Sequence, residues 1–117
     1  MLLVSVASGQ EVMATIEAQL TKRGVLNGAV VSLIGAVESA AVSTMAKDDA
    51  SQDIITEYHQ PLELSGTGEI KDGKLHIHVV LGAEGNATIS GHLHWATVKT
   101  FFVNAYVQPL DPAEFVL

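Results

Sequence analysis

The stretch Lys74–Trp95, KLHIHVVLGAEGNATISGHLHW, predicts two β-strands joined by a short turn. It contains four of the five histidines, as two His-x-His pairs: His76 with His78, and His92 with His94. Because successive side chains of a strand alternate between its faces, both imidazoles of a pair point to the same side. A hairpin of these two strands could therefore gather four imidazoles on one patch of a sheet.

The register of that hairpin decides whether the two pairs share a face. A three-residue loop, Glu84-Gly85-Asn86, would set His78 opposite His92. The same register would set His76 opposite His94. A four-residue loop would divide the histidines between the two faces of the sheet. The adjacent Gly and Asn favour the three-residue loop, because one of its positions requires a left-handed backbone.

An amphipathic helix is predicted over Gln10–Arg23, near the start of the chain. Ser8 and Glu11 have the spacing of a capping box, in which Ser8 caps the helix and Glu11 reaches back to it. Gly24 is suited to the position that follows the last turn. Apolar residues recur at helical spacing, at Val12, Met13, Ile16 and Leu20.

The rest of the chain predicts about seven strands, if Glu38–Met45 is taken as a weaker continuation of Gly28–Val37. Lys47–Gln52 is polar and predicts an exposed loop, and Asp72-Gly73 predicts a tight hairpin turn. Residues 109–117 predict no clear secondary structure. The predicted strands are Leu2–Ala7, Gly28–Val37 with Glu38–Met45, Asp53–Tyr58, Leu62–Ile70, Leu75–Leu81, Ala87–Leu93 and Thr97–Val107.

Two of these strand predictions carry further detail. The dense apolar run of Gly28–Val37 predicts a central strand covered on both faces, and Gly35 within it suggests a bulge or a close backbone approach. One helix and about seven strands in 117 residues predict a single α+β domain over residues 1–117. Its helix would pack on a mainly antiparallel sheet.

Composition limits the function classes. The net charge is −7, and the largest group of basic residues is Lys22-Arg23, so nucleic acid is an unlikely partner for this chain alone. The absence of cysteine excludes disulfides, thiolate metal sites and cysteine nucleophiles. The apolar run at the N-terminus spans about six residues, which is short for a signal peptide or a membrane span. We therefore expect a cytoplasmic protein with no membrane partner.

The hydrophobic content is 48%, against 16% charged residues. That excess favours burial of apolar surface between subunits.

Several short motifs follow one another in a fixed order along the chain. An Ile34-Gly35-Ala36 segment follows the helix, and a Pro61–Leu64 segment precedes Gly68 and the Asp-Gly turn. A His-x-His strand and Gly91-His92-Leu93 complete the order. This ordered set resembles the plants-and-prokaryotes-conserved (PPC) domain family, in the free-standing prokaryotic form that lacks an AT-hook. The resemblance covers about Val4–Val107.

This resemblance implies an α+β domain that assembles as a homotrimer. Free-standing members are often described as candidate DNA-binding proteins, and some are similar to metal binders that use histidines. Plant members dock partners through a Gly-Arg-Phe-Glu-Ile-Leu motif, of which this chain retains only Glu63. Ser90 replaces the first Gly of the family's Gly-Gly-His-Leu motif, and His94 is an addition to the family pattern.

The histidines are the candidate metal ligands, and zinc is the expected divalent metal, since it commonly binds neutral imidazoles. His78 and His92 match the family pattern and are the first choices, His76 is the next, and His94 would complete the site or reach it from another subunit. The alternative is that these side chains only form hydrogen bonds with their neighbours.

Two further residues are weaker candidates for ligand or partner binding. Glu63 could serve this role or be a solvated carboxylate. Trp95 could stack on a ligand or pack at an interface or on the core.

Three functions are compatible with these residues. The first is a non-catalytic trimeric module that holds a metal or small ligand, with a regulatory role. The second is a DNA-binding protein, as the family is often described, which the charge opposes. The third is an enzyme that uses zinc-bound water. The one carboxylate in the histidine segment is Glu84, in the presumed turn, so the sequence leans away from catalysis.

Overall fold

The computed structural model describes residues 1–117 as one helix and eight strands, which confirms the α+β class. Two single-turn 3₁₀ segments, Glu84–Asn86 and Pro112–Glu114, complete the chain. The helix α1 spans Val12–Lys22. The strands are β1 Leu2–Val6, β2 Gly28–Val37, β3 Ser39–Ala46, β4 Asp49–Tyr58, β5 Leu62–Lys71, β6 Lys74–Ala83, β7 Ala87–Thr97 and β8 Val103–Pro109.

All eight strands form one antiparallel sheet, in the order β1-β8-β2-β5-β6-β7-β3-β4. The predicted count of about seven is wrong because β2 and β3 are separate strands. β2 pairs with β8 and β5, whereas β3 pairs with β7 and β4. Strands β5, β6 and β7 form a meander, so the histidine-bearing strands lie in the middle of the sheet.

The helix packs on one face of the sheet and closes the core. Its buried side chains, Val12, Ile16 and Leu20, are fully enclosed, and each contributes roughly 1.5–3 kcal/mol by leaving water. The helix contacts β1 near one edge as well as β6 and β7, so the sheet curls around it. We call the opposite side of the sheet the open face.

The helix begins later than predicted, and Ser8 does not cap it. Glu11 occupies the N-cap position, and its carboxylate accepts hydrogen bonds from the amides of Met13 and Ala14 at 2.9 and 2.7 Å. The Ser8 hydroxyl instead donates to the carbonyl of Lys99 at 2.5 Å. Gly24 follows the last turn with φ +73°, as predicted.

The alternation of side chains along β6 places the histidines on the open face. Leu75, Ile77, Val79 and Leu81 are buried against the helix side, and the residues between them are exposed. A period of two is the pattern of a strand with one face in the core and one in solvent. The exposed set includes His76, His78 and Val80.

Two strand predictions need correction, one in the burial of the strand and the other in its length. β2 is central, but its open face is uncovered in the single chain, where Val31 and Ile34 are 51% and 54% exposed. Gly35 makes the close backbone approach that was one of its two predicted roles, because an added Cβ would lie 1.9 Å from the Phe102 carbonyl oxygen. The Thr97–Val107 prediction is too long, since β8 begins at Val103.

The predicted loop Lys47–Gln52 is also wrong. Only Lys47 and Asp48 form the turn, and β4 begins at Asp49 and runs along β3 as an exposed edge strand. The tail contains a 3₁₀ turn that Asp111 caps by accepting from the Ala113 amide at 2.8 Å. No helix of the chain has the length and apolar character that crossing a membrane requires.

Candidate metal centre

The β6–β7 hairpin has the register that the three-residue loop predicts. Glu84–Asn86 connects the strands, and its left-handed positions are Gly85 at φ +75° and Asn86 at φ +64°. From this loop the pairing runs to His78 opposite His92. The hairpin therefore brings histidines from both strands onto the open face.

Three of the four imidazoles form a compact group. The ring centroid of His76 lies 4.9 Å from that of His78 and 4.8 Å from that of His92. The centroids of His78 and His92 are 5.8 Å apart. Each residue offers a ring nitrogen, and these three nitrogens lie within 4.8 Å of one another. In a tetrahedral zinc site the ligand nitrogens stand about 3.3 Å apart, so a small rotation of exposed side chains would close the group.

His94 is close to this group but does not belong to it. Its ring centroid lies 4.8 Å from that of His92. Its Nε2 atom, however, is hydrogen-bonded to the Ser43 hydroxyl at 2.7 Å. Of the predicted ligands, the structure therefore brings together His76, His78 and His92 and turns His94 toward β3.

The environment of His92 favours the neutral form that a metal ligand needs. Burial lowers the pKa of His92 below its ordinary value of 6.5, and the imidazoles of His94, His76 and His78 lower that pKa further. The carboxylate of Asp53 opposes this with a smaller effect. A neutral imidazole keeps a lone pair available for a cation, so the donor chemistry fits a divalent metal.

Glu69 is a neighbour of the site that the sequence reasoning missed. Its carboxylate lies 4.0 Å from Nδ1 of His76, across the β5–β6 pair. Carboxylates in such positions orient metal-ligating imidazoles and raise their basicity. A signal was available, because the tight turn at Asp72-Gly73 sets Glu69 opposite His76.

Ser43 and Asp53 were missed for a different reason. Ser43 lies on β3, which joins β7 only through long-range pairing, and Asp53 lies on β4, which pairs with β3. No local spacing in the sequence connects either residue to the histidines.

The two weaker candidates, Glu63 and Trp95, lie outside the histidine group. Glu63 is exposed on β5 opposite Gly82, toward the loop end of the hairpin. Trp95 is half-buried on β7, and its ring centroid is 6.3 Å from that of His59.

A cleft of about 830 Å³ lies at the Glu63 end of the sheet. Its lining includes Glu38, Glu63, Glu84, Lys99 and Phe101, and none of the histidines. The carboxylate of Glu38 is already used, since it accepts hydrogen bonds from the amides of Lys99 and Thr100 at 2.7 and 2.9 Å. This cleft and the histidine group are thus separate features.

Comparison with known proteins agrees with this fold. The Plants and Prokaryotes Conserved (PCC) domain family, the family abbreviated PPC above, matches residues 1–111. The chain belongs to the PPC family. No curated protein matches this PPC chain.

Several solved structures share the PPC fold. A metal-containing protein from Archaeoglobus fulgidus is 32% identical, with 95% of this chain and 81% of that chain covered and a TM-score of 0.73. A PPC protein from Pyrococcus horikoshii is 22% identical, with 94% and 80% covered and a TM-score of 0.77. A candidate DNA-binding protein from Bacteroides thetaiotaomicron is 19% identical, with 93% and 78% covered and a TM-score of 0.80.

Proposed function

We propose that this PPC protein is a non-catalytic, homotrimeric module that holds one divalent metal ion per chain, zinc by preference. His76, His78 and His92 are the ligands. The observation that carries the proposal is the grouping of their three nitrogens within 4.8 Å on the open face. The 32% identical relative from Archaeoglobus fulgidus is described as metal-containing, which adds support.

The choice of zinc follows from the donor set. Three neutral imidazoles and no thiolate suit zinc, whereas calcium and magnesium prefer sites built of oxygen ligands. Two ligands come from one strand and the third from its hydrogen-bonded neighbour, so the backbone pairing holds them together before metal arrives. The metal would supply charge and a coordination position on the surface of the sheet.

A non-catalytic role is supported by where the cavity lies. Metal-dependent hydrolysis requires a substrate pocket beside the metal and a base within hydrogen-bond reach. The large cleft is lined by Glu63 and Glu84 rather than by the histidines. The carboxylate of Glu69 near the site contacts His76 from the side, at 4.0 Å, which suits orientation of the ring.

Trimer formation is supported by the apolar character of the open face. The side chains of Leu3, Val31, Ile34 and Val80 are each more than half exposed in the single chain. Tyr106 pairs with Leu3 across β1 and β8 and continues the same patch. Covering this patch with other copies of the chain would remove it from water.

Metal analysis of purified protein tests the site. We expect about one zinc per wild-type chain, and a loss of affinity of tenfold or more in His78→Ala and in His92→Ala. His59→Ala is the matched control, because this histidine follows β4 and lies outside the group. Unchanged metal content in both ligand variants would refute the proposed site.

Sedimentation analysis tests the assembly separately. A trimer would have about three times the 12.3 kDa mass of the chain. Replacing Ile34 by Asp would place a charge in the apolar patch and should shift the protein toward monomer. A monomeric wild-type protein at micromolar concentration would contradict the trimer.

DNA binding has weaker support in this chain. The described relatives include candidate DNA-binding proteins, but a net charge of −7 opposes contact with phosphate backbones. We expect no gel shift with duplex DNA at about 0.15 M salt. Tight, salt-sensitive binding there would favour the DNA-binding function instead.

A further inference from the structure

We infer that Ser43 keeps one coordination position of the histidine site open by holding His94 away from it, and that this position takes a small anionic donor ligand. This inference rests on the proposed metal site. It assigns Ser43 a positioning role, acting through His94, and it names the class of ligand that the site would accept.

The contact between Ser43 and His94 is the first observation. Ser43 is the one polar residue among the buried residues of the chain, with 4% of its surface exposed. Its hydroxyl and Nε2 of His94 form a hydrogen bond of 2.7 Å in this half-buried setting. A buried polar group without a partner costs about 1–3 kcal/mol, so the bond holds both side chains in place.

The second observation is a bulge in β7 at His94. Across the β3–β7 pair, Trp95 lies opposite Ala41 and Leu93 lies opposite Val42, which leaves His94 without a cross-strand partner. Bulged residues re-aim their side chains relative to the regular strand alternation. The bulge therefore allows His94 to turn toward Ser43 on β3.

The distance between His94 and His92 shows what the hydrogen bond prevents. Their ring centroids are 4.8 Å apart, as close as those of His76 and His92 within the ligand group. Without the Ser43 hydroxyl, rotation of the His94 side chain would place a fourth imidazole beside the other three. Ser43 therefore decides between a three-histidine and a four-histidine site.

This choice has a chemical consequence. A zinc site with four protein ligands is closed, whereas a site with three keeps a position for water or an external ligand. Three neutral imidazoles leave the two positive charges of the metal uncompensated, which favours an anion at that position. His76 and His78 are exposed, so an anion can reach the site from solvent.

Cobalt substitution gives an optical test that does not depend on any activity. Wild-type protein loaded with Co²⁺ is titrated with azide, and the visible absorption bands are followed. We expect azide to change the wild-type spectrum in a saturable way. In Ser43→Ala we expect azide affinity to fall by about tenfold or more, and cobalt affinity to rise by a similar factor, as the fourth imidazole binds.

Two further variants separate positioning from misfolding. The double variant Ser43→Ala, His94→Ala lacks the competing imidazole and should recover azide binding. His94→Ala alone should bind cobalt and azide as the wild type does. Both results are expected whether or not Ser43→Ala itself is less stable, and thermal melting of each metal-free variant measures that stability.

The possible results have distinct meanings. If the wild type takes up no cobalt, the proposed metal site and this inference are both wrong. If the wild type takes up cobalt and Ser43→Ala retains wild-type azide affinity, only the role of Ser43 is wrong. Weaker cobalt binding in His94→Ala would show that His94 is already a ligand, and it would also refute the inference.

Discussion

Gly68 on β5 lies opposite Ile77 of β6, the residue between His76 and His78. A Cβ atom added at Gly68 would lie 2.1 Å from the His76 carbonyl oxygen and 2.7 Å from Cδ1 of Ile77. Real Cβ atoms essentially never approach other atoms within 3.0 Å. Gly68→Ala therefore requires β5 to move by roughly 1 Å relative to β6.

We expect this substitution to lower the free energy of unfolding by about 2–4 kcal/mol. Overpacking of this kind typically costs about 1–3 kcal/mol, and distortion of a ladder hydrogen bond adds about 1 kcal/mol. The displacement occurs beside two of the three ligands, so zinc affinity should fall as well.

Gly82→Ala is the matched control in the neighbouring strand. Its added Cβ would meet only the Cβ of Glu63, at 3.7 Å, which is an ordinary contact. Removing a glycine also reduces the freedom of the unfolded chain, so this variant should lie within about 0.5–1 kcal/mol of the wild type, on the stable side. Gly82 is far enough along β6 to leave zinc affinity unchanged.

Urea unfolding at one fixed protein concentration measures both variants. A change in midpoint with a constant slope reports a change in stability, and the fixed concentration removes any contribution from assembly. If Gly68→Ala is no less stable than Gly82→Ala, then close approach of the strands does not limit substitution at this position and the reasoning is wrong.

Two further predictions concern protonation and the helix. Because the pKa of His92 is lowered in the folded protein, the unfolded chain binds more protons near pH 6.5 and below. The metal-free protein should therefore be most stable above about pH 6.5 and should lose stability as the pH falls below that value. The melting temperature of His92→Asn should depend less on pH than that of the wild type. Identical pH profiles of the two proteins would contradict this. Glu11→Ala should lower the free energy of unfolding by about 1–2 kcal/mol. The Glu11 carboxylate caps the helix and also accepts a hydrogen bond from the Ala96 amide at 2.9 Å. Glu57→Ala, on the exposed edge strand, is the control and should change the free energy of unfolding by less than about 0.5 kcal/mol. Equal losses of stability in Glu11→Ala and Glu57→Ala would contradict the capping role.

Features set by neighbouring residues were predictable from the sequence. The helix follows from apolar spacing, its end follows from the nearby Gly24, and the tight turn follows from Asp72-Gly73. The Gly-Asn pair of the loop favoured the observed hairpin register, because those residue types tolerate left-handed conformations. In each case the residues that decide the structure lie within a few positions of one another.

Features that depend on distant partners were mispredicted. Ser8 and Glu11 are both capable helix caps, and the Lys99 carbonyl and the Ala96 amide, far along the chain, decide between them. The polar start of β4 becomes a strand because β3 supplies its hydrogen-bond partners. The start of the Thr97–Val107 prediction fails because the amides of Lys99 and Thr100 donate to the Glu38 carboxylate instead of extending the strand.

The histidine hairpin shows the same division. Sequence alone determined that each His-x-His pair lies on one face, and it favoured the loop that sets His78 opposite His92, since strand alternation and turn chemistry are local properties. Tertiary structure decided that His94 leaves the group, because Ser43 reaches it from a strand about fifty residues earlier in the chain. The pairing of β3 with β7 creates that contact, and no spacing within either strand encodes it.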